Sequence, residues 1–131
     1  MIEQGFKIFY DFSDIKPYWD ELYAKGGNYN LSYNWCYIWY KNFSKSKRPY
    51  IITFWQNKKL VLLAPFYLKN NRLSLIGTKP DMYDEFGILC DDVKIIDRLI
   101  DYILGQSLEM NFKHVNAESV FAKKIVNVVF L

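Results

Sequence analysis

Residues 50–77 read YIITFWQNKKLVLLAPFYLKNNRLSLIG, and their pattern sets the architecture. Tyr50 to Trp55 is dense in β-branched and aromatic side chains, which suit a pleated, half-buried surface. Leu60 to Leu68 is a nearly unbroken apolar run, as expected of a central strand covered on both faces. Arg72 to Gly77 alternates, as a third strand would. Asn70-Asn71 between the last two runs suits a tight hairpin, because asparagine enters the left-handed backbone region at low cost. Pro65 has no N–H to donate. Inside the central run it predicts either a bulge or a position that faces no neighbouring strand.

Working upstream, Gly5 to Phe12 alternates and reads as a further strand. Asp14 has the character of a helix N-cap. Ile15, Tyr18, Trp19, Leu22 and Tyr23 then recur at helical spacing and form one apolar stripe. Pro17 falls in the first turn, where its missing N–H breaks no helical bond, and Gly26-Gly27 end the helix. A second helix starts near Ser32 and puts Trp35, Ile38, Trp39 and Phe43 on one face. Tyr33, Tyr37 and Tyr40 cover the rest, a pattern expected of a helix buried on several sides. Lys41 to Arg48 is a polar, basic connector ending at Pro49.

Working downstream, Gly77 to Glu85 reads as a loop carrying Asp81, Asp84 and Glu85, and Phe86 to Cys90 as a short strand. Asp91 or Asp92 caps a third helix with Ile96, Leu99, Ile100, Ile103 and Leu104 on one face, ended by Gly105. His114 to Val120 reads as a last strand. Ile125 to Leu131 is apolar to its end, so those residues are expected to dock within the domain or to be covered by a partner.

Composition narrows the function classes. The 131 residues are expected to form a single domain with a real core. Seventeen basic and fourteen acidic residues leave a net charge of +3, too small to imply a nucleic-acid or anionic-membrane partner. Cys36 and Cys90 are too few for a disulfide framework and read as apolar side chains in a reducing compartment. There is no secretory pattern at the N-terminus and no membrane-length apolar run, so the expected location is cytoplasmic. Four Trp, eleven Tyr and ten Phe make 19% of the chain aromatic, which raises the prospect of an adhesive surface and self-association.

The order strand, helix, helix, three-stranded meander, helix, strand resembles one half-unit of the GNAT acetyltransferase superfamily. Ser32-x-x-Trp35-x-x-x-Trp39, then Ala64-Pro65-Phe66, Leu75-Ile76-Gly77 and Tyr83-Asp84-x-Phe86, resemble the N-terminal half of CelD/BcsL-type acetyltransferases, which are similar to FemAB-type enzymes. The resemblance runs over residues 5–105. It implies an α+β fold, a mostly antiparallel sheet flanked by helices, and transfer of an acyl group from acetyl-CoA or another acyl-CoA to an amine. Such folds hold the CoA pyrophosphate in a glycine-rich turn before a helix, where backbone N–H groups and the helix dipole meet the phosphates. Here that stretch is GTKPDMYDEFGILCDD, whose carboxylates repel phosphate. The resemblance therefore implies a chain that binds acyl-CoA poorly by itself and works with a second acyltransferase half or through self-association. The alternative is a non-catalytic binding or oligomerisation module, a remnant of such an enzyme.

The residues themselves offer few catalytic candidates. Tyr83, Asp84 and Glu85, with Asp81, form the one polar cluster at a strand exit, where a carboxylate can serve as general base toward an amine. No metal-ligand spacing is present. His114 has no triad partners in ordered spacing and reads as an ordinary histidine. Cys36, about one turn into its helix, reads as a packed thiol rather than a nucleophile. Lys45, Lys47 and Arg48 are interleaved with Trp39, Tyr40 and Tyr50, a combination that can stack on single-stranded nucleic acid but more often is a solvated loop.

Overall fold

The structure, a computed structural model, describes residues 4–26, 31–43, 46–76, 88–91, 94–106 and 109–111. In chain order these form β1 (Gln4–Phe9), α1 (Lys16–Tyr23), α2 (Tyr33–Phe43), β2 (Arg48–Gln56), β3 (Lys59–Lys69), β4 (Arg72–Leu75), β5 (Leu89–Cys90), α3 (Ile95–Leu104) and β6 (Glu109–Asn111). The sheet order is β1-β2-β3-β4-β6, with β5 also on β3. All pairings are antiparallel except β4 with β6, which is parallel. The fold is mixed α+β, an antiparallel-dominated sheet between helices.

Strand alternation sorts the apolar residues into two cores. Tyr50, Ile52, Phe54, Leu62, Ala64, Phe66 and Leu73 face α3, whose Ile95, Ile96, Leu99, Ile100 and Ile103 are all buried. Ile51, Trp55, Leu63, Ile76 and Leu89 face the other way, against α1 and α2. Covering β2 and β3 on both sides is what makes their middles apolar apart from Thr53. One bulge adjusts the register. Phe54 pairs with Leu62 but Trp55 pairs with Leu60, so Val61 is the extra residue. Leu60 is thereby sent to the α1 side while Val61 joins the α3 side.

Two tight turns hold the meander. Asn70 and Asn71 have φ of 51° and 65°, as their sequence led us to expect. Asn57 and Lys58 make a second turn with φ of 51° and 64°; lysine there carries no such signal. Pro65 explains where the outer strand breaks. It is opposite Ile76, whose N–H donates to the Pro65 carbonyl at 2.7 Å. The reciprocal bond would need a proline N–H, so the ladder ends there. The β3 edge is then taken up by β5, with Leu63 opposite Leu89 and Asp91 N–H donating to the Val61 carbonyl at 2.8 Å.

The buried Thr53 links the strands through its hydroxyl. Its Oγ1 donates to the Lys7 carbonyl at 2.7 Å and accepts from Trp55 Nε1–H at 2.9 Å.

Several local expectations need correction. The first strand stops at Phe9, because the Asp11 carboxylate accepts from both the N–H and the hydroxyl of Ser13, at 3.0 Å each, and turns the chain. Asp14 does not cap α1; Ile15 precedes that helix and makes no side-chain cap bond. Asp91 does not cap α3 either, since its carboxylate meets Lys25 Nζ at 3.0 Å and Lys94 precedes the helix. Leu104 is exposed, not part of the buried stripe. On α2 the buried residues are Tyr33, Cys36 and Trp39, whereas Ile38 is 59% and Phe43 41% exposed. With aromatics on every side, periodicity could not say which stripe meets the sheet. Other expectations hold: Ser32 Oγ accepts from Trp35 N–H at 3.2 Å, and Gly105 closes α3 by donating to the Asp101 carbonyl at 3.1 Å. The last strand among the described residues is Glu109–Asn111; the expected strand at His114 to Val120 and the apolar end Ile125 to Leu131 lie outside them.

Candidate functional site

The expected acceptor residues Tyr83, Asp84 and Glu85, and Asp81 beside them, lie outside the described residues, as do His114 and Lys45. What is described is the frame that carries the first four. Ile76 and Leu89 are held on the same edge of β3, at Pro65 and Leu63, two positions apart along one strand. Segment 77–87 therefore begins and ends at one place on a rigid, doubly covered strand.

Cys36 is a packed thiol. It is fully buried in the core between α1, α2 and the sheet, and burial pushes its pKa upward. Any lowering by the helix start is outweighed by the loss of water. A thiol reagent added to the native protein at neutral pH is therefore expected to label Cys90, which is partly exposed, and to reach Cys36 only in denaturant. Mass spectrometry of the labelled peptides checks this; fast native labelling of Cys36 would contradict its burial.

The basic connector folds back on its own rings. Lys47 Nζ donates to the Phe43 carbonyl at 2.6 Å, completing the C-terminus of α2. It also stands 6.0 Å from the Trp39 ring centre and 5.5 Å from that of Tyr67. Arg48 lies 5.5 Å from the centre of Tyr10. These cation–ring contacts are internal, the arrangement expected of a structural connector.

Sequence reasoning missed a cleft beside it. Tyr67 pairs with Ser74 and Lys69 with Arg72 across the β3–β4 hairpin, so all four share one face. With Asn70 they line a cavity of about 280 Å³. Closer to the middle of the sheet this same face carries Leu63 and Ile76 and is buried under α1 and α2. Beyond α2 it turns polar. The signal was legible in principle, because residues of one parity along β3 and β4 change from apolar to polar toward the hairpin tip. A second hollow, among Tyr18, Glu21, Lys25, Lys58 and Lys59, is only about 50 Å³, too small for more than a few waters.

No group of three or more His, Cys, Asp and Glu residues able to hold a metal occurs among the described residues. Among them no helix is long and apolar enough to cross a membrane. Comparison of the chain with protein-family models, with curated proteins and with solved structures finds no match.

Proposed function

We propose that this chain is an acyltransferase-type domain resembling the N-terminal half of a CelD/BcsL-type GNAT enzyme, contributing acceptor-binding surface to acyl transfer from acyl-CoA to an amine. The observation that supports this reading is the interrupted edge of β3. Ile76 and Leu89, which flank the stretch containing Tyr83, Asp84 and Glu85, are both held on one rigid strand, a setting in which loops commonly carry function. In the reaction, the amine nitrogen attacks the thioester carbonyl, a carboxylate of this segment takes up the amine proton, and the CoA thiolate leaves. The carboxylates of 77–92 disfavour a pyrophosphate there, so acyl-CoA is held by a second half, on a separate chain or another copy.

Calorimetric titration of the purified chain with acetyl-CoA is expected to show no micromolar binding while the protein stays folded. Micromolar binding would place the cofactor site on this chain and overturn the division of labour. Reconstitution with an acyltransferase half encoded beside it is expected to restore transfer. Asp84→Asn or Glu85→Gln should then lower the rate by about 10²–10⁴-fold if that carboxylate is the base. Unchanged rates in both variants would remove the acceptor role.

The outer face of α2 favours a second reading, a binding or oligomerisation module. Ile38 is 59% exposed beside the exposed Tyr37 and Phe43. Light scattering separates the two: a strict monomer at high concentration counts against the module.

A further inference from the structure

We infer that the cleft at the β3–β4 hairpin binds a small organic phosphate, with Lys69 as its contacting cation, Tyr67 as its apolar wall and Asn70 and Ser74 as hydrogen-bonding partners. This inference does not depend on the acyl-transfer reading.

The cavity has a size suited to a small ligand, about 280 Å³. Among the described residues its lining is Tyr67, Lys69, Asn70, Arg72 and Ser74, none of them a carboxylate. Lys69 is exposed and has no ion-pair partner among the described residues. Arg72 adds a second cationic side chain to the lining, and the parallel ladder sets the backbone of Glu109 alongside it, so Lys69 is the cation that the test addresses.

The second lysine is Lys47, behind the Tyr67 wall. Its ammonium is fixed by the Phe43 carbonyl at 2.6 Å and stands over Tyr67, so it cannot leave that ring without giving up the end of α2. Burial first, and then the charge of Lys69, hold the Lys47 pKa below the ordinary lysine value. Lys69 and Arg72 put two cationic side chains in the cleft lining, and the Lys47 ammonium stands behind its Tyr67 wall. A dianion suits such a lining, and a phosphate monoester carries close to two negative charges at neutral pH. Ser74 and Asn70 bring a hydroxyl and an amide to the same lining, and Tyr67 offers a ring to the organic part.

The test is an NMR titration of the isotope-labelled chain with phenyl phosphate and, separately, inorganic phosphate. The expected result is saturable binding of phenyl phosphate, with the largest shifts at the amides of 67–74 and a weaker affinity for inorganic phosphate. Lys69→Gln, at an exposed position that leaves the fold intact, should weaken binding about tenfold or more. Lys59→Gln, exposed at the opposite hairpin, should leave it unchanged. Absence of saturation in a folded sample overturns the proposal, as does equal binding by Lys69→Gln. Equal affinity for the two probes removes the aromatic wall from it. Tight binding of a single-stranded oligonucleotide, with shifts spread over Lys47, Arg48 and Tyr10 and none saturable with phenyl phosphate, would assign the surface to nucleic acid instead.

Discussion

Replacing Trp19 by alanine is expected to lower stability by about 3–5 kcal/mol, a large part of the roughly 5–15 kcal/mol that holds a domain of this kind. Trp19 is fully buried. Its ring stacks on Phe12 at 5.7 Å and 18°, and meets Tyr33 edge-on at 5.4 Å and 87°. Its Nε1–H donates to the Leu31 carbonyl at 2.9 Å, a bond between α1 and the chain entering α2. One side chain therefore fastens the turn after β1, the first helix and the start of the second. Truncation leaves a cavity too enclosed to collapse and a carbonyl without its donor. Trp19→Phe separates the two effects: most of the packing remains, so the loss should fall to about 1–3 kcal/mol. Urea denaturation followed by circular dichroism measures both. A loss below about 1 kcal/mol for the alanine variant would mean that α1 is not docked on this sheet face.

The second large effect is expected at Thr53, where valine should cost about 1–3 kcal/mol despite matching the shape. Valine is at least as good in a strand as threonine, so intrinsic preference points the opposite way. The penalty comes from the buried polar chain: Trp55 Nε1–H loses its acceptor and the Lys7 carbonyl loses a donor. Both Thr53 and Trp55 are buried, and water cannot readily replace the hydroxyl. Thr53→Ser keeps the hydroxyl and should be milder. A double-mutant cycle gives the decisive reading. In a Trp55→Phe background there is no indole donor to strand, so Thr53→Val should cost less by about 0.5–3 kcal/mol. Strict additivity of the two substitutions would show that the indole bond contributes nothing.

The meander was legible because local chemistry and tertiary demand agree there. Asn70-Asn71 prefers the backbone that the turn needs, and β3 is apolar from Leu60 to Leu68 because helices cover both faces of its middle. The third helix was equally plain, since one face alone is aliphatic. The second helix was legible as a helix but not as an oriented one. Tyr33, Trp35, Tyr37, Ile38, Trp39, Tyr40 and Phe43 point all round, and only docking decides that Trp39 goes inward while Ile38 meets water. The caps expected of Asp14 and Asp91 failed for a related reason, while Asp92 lies outside the described residues. Asp11, rather than Asp14, turns the chain, and Asp91 is drawn to Lys25 across the fold.

By itself, then, the sequence determined the element types from β1 to α3 but not β6, the two-residue turn at Asn70-Asn71 and the central place of β3, all of which rest on periodicity and short-range backbone preference. It also flagged Pro65 as a discontinuity, without saying which strand would break. Only the tertiary structure decided that the break falls between β4 and β5, because the missing proline bond matters only opposite Ile76. It alone decided that Lys47, far along the chain from Lys69, stands over the Tyr67 ring that walls the Lys69 cleft. Charges and rings act through space. Their neighbours are set by strand register and helix docking, which no single stretch of sequence contains.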